Sequence, residues 1–404
     1  MEADRQAVDR EESISAMEPL LISDSSRRRA ELNDLAFELT RKASAFRSSL
    51  PRPMQVPLAG LVRAMNCYYS NLIEGHDTHP IDIERALKND YSQDRKKRDL
   101  QIEAKAHMAV QQWIDEGGLS VRQAVSAEGV IDLHRRFCAQ LPEDLLWADN
   151  PDTGERARVI AGELRKRDVK VGQHIAVSPG ALPRFLSRFA EVYGGLGKLD
   201  RLLAVAAAHH RLLWMHPFLD GNGRVARLMS HAMFLGILDT GAIWSVARGL
   251  ARRVQEYKTL LARCDTRRRN DLDGRGTLSE EALAEFTHFF LTVCIDQVDF
   301  MERLVQPDRL RARVLVWAEE EVRAGELPPQ AVRILEAVLH GGEVARSDVN
   351  VIVGTGDRQG RRILAALLDR GVLTSESHRA PLHLAFPASL AHRWMPGLFP
   401  ERTG

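Results

Sequence analysis

One twelve-residue run constrains this chain more than any other: His216-Pro-Phe-Leu-Asp-Gly-Asn-Gly-Arg-Val-Ala-Arg227. The apolar helical stretch Leu202 to Met215 must stop at Pro217, which lacks an N–H and disfavours helix in the residue before it. A tight Gly221-Asn222-Gly223 turn follows, and a second helix begins. The two glycines let the backbone take positive φ and approach a ligand closely. The free N–H groups at the new helix start make an anion nest. Arg224 and Arg227 are spaced i, i+3, so both project from one helix face into that nest. Guanidinium forks match phosphate oxygens. Asp220 is a hard oxygen donor suited to a Mg²⁺ that also holds phosphates. His216 stands at the mouth, where a neutral imidazole takes a proton from a hydroxyl. Together these parts suit a magnesium-nucleotide and an incoming hydroxyl.

The rest of the chain must carry this turn. Its 404 residues suggest two to three domains. Lys+Arg total 56 against 55 Asp+Glu, a net charge of +1 that excludes a globally basic nucleic-acid coat or a polybasic membrane binder. A small basic module inside a neutral average stays open. Cys67, Cys138, Cys264 and Cys294 form no Cys-x-x-Cys pair, so neither a disulfide framework nor a zinc knuckle is expected. With no signal-like start and no apolar run long enough to span a bilayer, the reading is a soluble cytoplasmic protein without a membrane partner.

Helical periodicity dominates, which makes the fold mainly α. Residues 1–29 read as a flexible leader. After Pro57, the residues Leu58, Leu61, Val62, Met65, Tyr69, Leu72 and Ile73 follow an i, i+3, i+4 pattern, a helix over 57–75. Further helices are expected over roughly 81–116, 121–140, 181–193, 200–215, 223–238, 248–263 and 279–303. The stretch 159–177 breaks the rule, with period-2 β-branched residues around a basic Arg165-Lys166-Arg167 run read as a solvated turn; it is expected to be a β-hairpin. A charged connecting helix over 306–326 leads to Pro328-Pro329 and a small unit, 327–404. Helices at Ala331–Leu339, Ser347–Val353 and Arg358–Arg370 and two terminal strands suggest a winged helix-turn-helix.

The 216–227 segment resembles the signature of Fic-domain proteins, His-Pro-Phe-x-(Asp/Glu)-Gly-Asn-Gly-Arg-x-x-Arg, at every fixed position. Gly162-Glu-Leu-Arg165 with Val171-Gly172-Gln173-His174 is similar to the family's hairpin upstream of the site. The resemblance covers roughly 30–305 and implies a Fic-type helical bundle with a hairpin flap. It implies transfer of AMP from ATP to a Ser, Thr or Tyr hydroxyl of a target protein, self-modification included. His216 would be the general base and Asp220 would hold Mg²⁺ on the α/β-phosphates. Asn222 with the backbone of Gly221 and Gly223 would stabilise the α-phosphate. Arg224 would grip the β-phosphate and Arg227 the γ-phosphate. Val171 to His174 would lie over the nucleotide, with an open edge for an extended target segment. Arg252-Arg253-Val-Gln-Glu-Tyr257 is similar to a family segment near the nucleotide base, which would place Tyr257 there; Lys258 stands where many relatives have a second Tyr. Ser70-Asn-Leu-Ile-Glu74-Gly75 resembles the family's inhibitory motif, which implies that Glu74 pairs with Arg227 and blocks the γ-phosphate.

Other readings weigh against these. His209 and His210 read as core and surface helix residues rather than metal ligands, since no carboxylate pair accompanies them. Gly221-Asn-Gly223-Arg-Val-Ala226 fits a dinucleotide pattern but does not follow a strand. Asp271 to Gly276 lacks the ligands of a calcium loop and reads as a lead-in to an N-cap at Ser279. Val351 to Gly360 could be a glycine loop of a nucleotide fold, but too little chain follows for a sheet. The tail over 331–404 holds nine Arg, no Lys and seven acids, a weak positive excess that leaves DNA and a protein partner both open, as is a homodimer. Two alternatives to AMP transfer stand: removal of AMP, or transfer of another phosphate-containing group, on the same fold; and a nucleotide-sensing DNA-binding regulator.

Overall fold

Helix α1 (Arg29–Ser49) opens a helical body in a computed structural model that describes residues 7–149, 154–238 and 240–400. Residues 1–6 of the leader and 401–404 of the tail lie outside these. Then come α2 (Arg52–Ile73), α3 (Pro80–Leu87), α4 (Arg95–Asp115), α5 (Val121–Ala124) and α6 (Ala127–Cys138). Helix α2 begins before Pro57, which sits inside it; its apolar stripe, Leu58, Leu61, Val62, Met65, Tyr69 and Ile73, is buried as the periodicity predicts. The single helix expected over 81–116 is two. Asn89 takes φ 59 and breaks the first, and Asp94 caps the second by accepting from the Lys97 N–H at 2.8 Å.

A short hairpin, β1 (Trp147–Asp149) with β2 (Arg156–Arg158), was not foreseen. The expected flap hairpin is smaller than 159–177. Only β3 (Lys170–Val171) and β4 (His174–Ile175) pair, Val171 opposite His174, and the turn is Gly172-Gln173 rather than the basic run.

Helices α7 (Leu182–Gly194), α8 (Lys198–Met215) and α9 (Asn222–Leu238) follow. Residues 202–212 of α8 are all buried, the mark of a central helix that is apolar on every side. The stretch 248–263 divides at Arg253 into α10 (Val246–Arg252) and α11 (Val254–Arg263). Helix α12 (Glu280–Leu304), capped by Ser279 as expected, packs Phe286 and Phe290 around His209 of α8 and Tyr257 of α11.

The leader is a correction. Residues 7–16 are mostly exposed, but the segment after them is anchored rather than loose: Met17, Leu20 and Ile22 are buried, and buried Arg211 donates to the Pro19 carbonyl at 2.8 Å. Arg10 pairs with Asp168 beside the flap, and the Gly180 N–H donates to the Val8 carbonyl at 2.8 Å.

Helix α13 (Pro307–Arg323) links to α14 (Ala331–Gly341), β5 (Glu343–Val344), α15 (Val349–Val353), α16 (Asp357–Asp369), β6 (Leu373–Thr374), β7 (Leu382–Leu384) and α17 (Ala391–Trp394). The three strands form an antiparallel sheet in the order β5-β7-β6, one strand more than expected. The chain then returns to the body. Trp394 packs edge-on to Trp317 at 5.1 Å, and Tyr69 of α2 donates to the Leu398 carbonyl at 2.9 Å.

Candidate active site

The site grows from the junction of α8 and α9. His216 ends α8 with left-handed φ 48 and ψ 62, a conformation uncommon for a side-chain-bearing residue and unlike the extended backbone usual before a proline. Asn222 closes the loop on itself. Its Oδ1 accepts from the Phe218 N–H at 3.0 Å and its Nδ2 donates to the Phe218 carbonyl at 2.8 Å. Gly221 takes φ +81, which a side chain would resist. The Phe218 ring stacks on His134 of α6 at 3.9 Å, and His134 Nδ1 accepts from the Gly162 N–H at 2.9 Å.

The basic run supplies an unforeseen brace. Arg165 is buried rather than solvated, and its guanidinium is spent on backbone carbonyls: His216 at 2.7 Å, Arg167 at 2.9 Å, Val177 at 2.5 Å and Met215 at 3.3 Å. A buried cation surrounded by carbonyl oxygens satisfies its donors while tying together three stretches of backbone. Burial, helped by the Arg165 charge, pushes the His216 imidazole down to about 4. It is therefore neutral at pH 7 and can accept a proton. His216 opens onto a cleft of 840 Å³ that is shared with Asp168, Lys170, Gly172, Ile175 and Leu219.

Arg227 is held through two of its three nitrogens. Its Nε donates to Ser70 Oγ at 2.8 Å, and its Nη2 donates to the Ser70 carbonyl at 3.2 Å and to Glu74 Oε1 at 2.5 Å. The Ser70–Glu74 spacing thus brings both residues onto one arginine. The carboxylate also stands against the first turn of α9, where a Cβ on Gly223 would overlap it. Burial works to raise the Glu74 carboxyl, but the charge and hydrogen bond of Arg227, with Arg224 and Lys258, outweigh it and hold it below its usual range. An ionised carboxylate therefore occupies the anion-favouring end of the helix.

Arg224 meets a different acid, one that sequence reading missed. Its Nη2 donates to Glu103 Oε2 of α4 at 2.9 Å and lies 3.1 Å from His76 Nδ1; its guanidinium lies over the Phe137 ring at 5.1 Å. His76 Nδ1 is also 2.9 Å from Glu103. One nitrogen cannot accept from the guanidinium and donate to the carboxylate at once, so the tautomer of the ring decides which of the two contacts is a hydrogen bond. The signal was available as spacing: Glu103, His107, Gln111 and Asp115 recur every fourth residue along α4. Asp115 meets His231 of α9 at 2.6 Å at the far end of the seam.

The remaining expected residues divide. Val171, Gly172 and Gln173 are exposed on the flap, and His174 Nε2 is 2.8 Å from the Trp214 carbonyl. Tyr257 is a correction: it is buried in the core and offers no face to a base. Its hydroxyl donates to His209 Nε2 at 2.7 Å, and His209 Nδ1 is 2.9 Å from Ser230 Oγ, which in turn donates to the Ala226 carbonyl at 2.8 Å. That chain props the floor beneath Arg227. His210, expected at the surface, is buried too and lies 2.9 Å from Asp265. Asp220 is exposed at the crown of the loop. A magnesium ion carried by a nucleotide takes one or two carboxylates and fills its other positions with phosphate and water, so this single carboxylate fits the ion. Among the described residues no cluster of three His, Cys, Asp or Glu could hold a metal by itself, and no helix is long and apolar enough to cross a membrane.

Comparison with known proteins follows the same segment. Residues 124–234 match the model of the Fic/DOC family. The protein adenylyltransferase Fic of Culex quinquefasciatus is 28% identical over 188 residues, covering 44% of this chain and 34% of that protein. Its counterpart from Drosophila erecta is 27% identical over 170 residues, covering 42% and 31%. The chain thus spans about a third of the length of the curated relatives it matches. The crystal structure of a Fic family protein from Desulfovibrio desulfuricans G20 shares the fold, with a TM-score of 0.52 at 16% identity over 88% of this chain and 95% of that one.

Proposed function

We propose that this chain, which carries a Fic domain, transfers AMP from ATP to hydroxyl side chains of a target protein and is held back by its own Glu74. The observation that carries the reading is the Arg227–Glu74 pair at 2.5 Å, whose carboxylate stands against the first turn of α9, in the helix that follows the loop of a neutral His216. With Glu74 in place, the anion site is filled by a carboxylate. When Glu74 turns away, Arg227 and Arg224 are there for the γ- and β-phosphates, with the helix end and the backbone of Gly221 and Gly223 around the α-phosphate. The Asn222 amide is spent within the loop, so its part is to shape that backbone. His216 takes the proton of the target hydroxyl. The hydroxyl oxygen bonds to the α-phosphorus, the bond to the β-phosphate oxygen breaks, and pyrophosphate leaves. Asp220 would hold Mg²⁺, which supplies charge neutralisation on the phosphates. The exposed Val171 and Ile175 edges of the flap suit an extended target segment.

The test uses α- and γ-labelled ATP with Mg²⁺. Label is expected from the α-position only, with Glu74→Gly exceeding wild type by about ten- to a hundredfold, the loss of a charge-assisted hydrogen bond. Label from the γ-position, or equal labelling by the two proteins, would overturn the reading. The ionised Glu74 favours one second reading, in which it orients a water that removes AMP from a modified protein. Release of AMP that Glu74→Gly abolishes would establish it.

For the tail we favour a winged helix-turn-helix in which Arg358, Arg361 and Arg362 of α16 face outward. Their partner is DNA or another protein. Salt-sensitive binding of a random duplex by the full chain, lost in the triple alanine variant, would select DNA.

A further inference from the structure

We infer that Glu103 is a positioning residue for Arg224: a fixed carboxylate that sets the guanidinium for the nucleotide's β-phosphate, rather than a second brake. The inference rests on the proposed phosphate role of Arg224. Three observations carry it. First, the contact is buried: the Arg224 side chain is 5% exposed and that of Glu103 13%, with Nη2 and Oε2 2.9 Å apart. Glu103 is also the only carboxylate that Arg224 meets among the described ion pairs.

Second, the two acids of the site are mounted differently. Glu74 caps the end of α2, its side chain 36% exposed, and Gly75 follows with φ +86. It can rotate into water at the cost of one ion pair. Glu103 lies in the interior of the 21-residue helix α4, whose buried Ala104, Ala106 and Met108 hold the backbone in place. It stays where it is unless the helix moves.

Third, Arg224 depends on it. The Arg224 Nε is buried without a partner, so Nη2 carries the hydrogen bonds that set the plane of the guanidinium. Phe137 supports that plane from one face. Without Glu103, a buried cation would be left uncompensated and free to turn away.

The test measures binding of ATP, ADP and AMP, each with Mg²⁺, to Glu74→Gly by calorimetry, and the KM for ATP in AMP transfer. Adding Glu103→Gln is expected to weaken ATP and ADP about tenfold while leaving AMP, which lacks the β-phosphate, unchanged. KM for ATP should rise by a similar factor with kcat little altered. Glu103→Asp, which keeps the charge, should recover part of the loss and guards against a folding defect in the glutamine variant. Equal weakening of all three nucleotides would mean a merely structural role and overturn the inference. So would unchanged or tighter ATP binding, the latter marking a second brake. Failure of the broader reading looks different: Glu74→Gly would bind ATP, with affinity that depends on Glu103, yet transfer no AMP.

Discussion

Arg224 and Arg227 sit one turn apart on α9 and are held in opposite ways. Arg227 is gripped by Ser70 and Glu74, both from the last turn of α2, through three hydrogen bonds. Arg224 has one carboxylate, supplied from within α4, and one aromatic face. A clamp built at a helix end can open without disturbing the core; one built inside a helix cannot. Identical side chains on one helix can therefore serve as a releasable lock and a fixed post, the mounting of the partner deciding which.

The comparison can be broken or sharpened in order of effect. His216→Ala in the Glu74→Gly background should lower AMP transfer about a hundred- to ten-thousandfold while ATP affinity stays the same, since both arginines are untouched. A parallel loss of affinity would mean that the clamps and the base are not separate. In Glu74→Gly itself, the acid limb of kcat/KM assigned to His216 should lie near its lowered value of about 4 instead of the ordinary 6.5, because the imidazole must be neutral to act.

The next effect is on the lock. A carboxyl held below its usual range keeps its charge as pH falls past about 4.3, so the Arg227–Glu74 pair contributes above that pH and is lost only as pH drops through the lowered value. The ratio of Glu74→Gly to wild-type transfer should thus stay level between about pH 8 and 5.5; a ratio that collapses within that window would show a weaker clamp. The smallest effect concerns the post. Phe137→Leu, which removes the ring beneath Arg224, should weaken ATP about two- to fivefold and leave inhibition by Glu74 intact.

Local chemistry made part of this legible in the sequence. Proline, two glycines and two arginines within twelve residues define the 216–227 turn, and i, i+4 spacing put Ser70 and Glu74 on one face. What stayed hidden depends on packing between distant segments. Glu103 meets Arg224 across 121 residues of chain. Arg165 looked like a solvated charge because nothing nearby in sequence reveals the carbonyls that surround it. Tyr257 looked like a base contact until the aromatic floor formed by α8, α11 and α12 enclosed it. The leader's hold on the body rests on single contacts such as Arg211 with Pro19, which carry no periodic signal.

The Arg165 brace has a mechanical consequence. One side chain ties the carbonyls of Arg167 and Val177, on either side of the flap hairpin, to those of Met215 and His216 at the end of α8. The edge that would meet a target and the imidazole that would deprotonate it are riveted to the same plate. If the proposed roles hold, a polypeptide seated on the flap would bear on the residue that is to act as base through a single guanidinium.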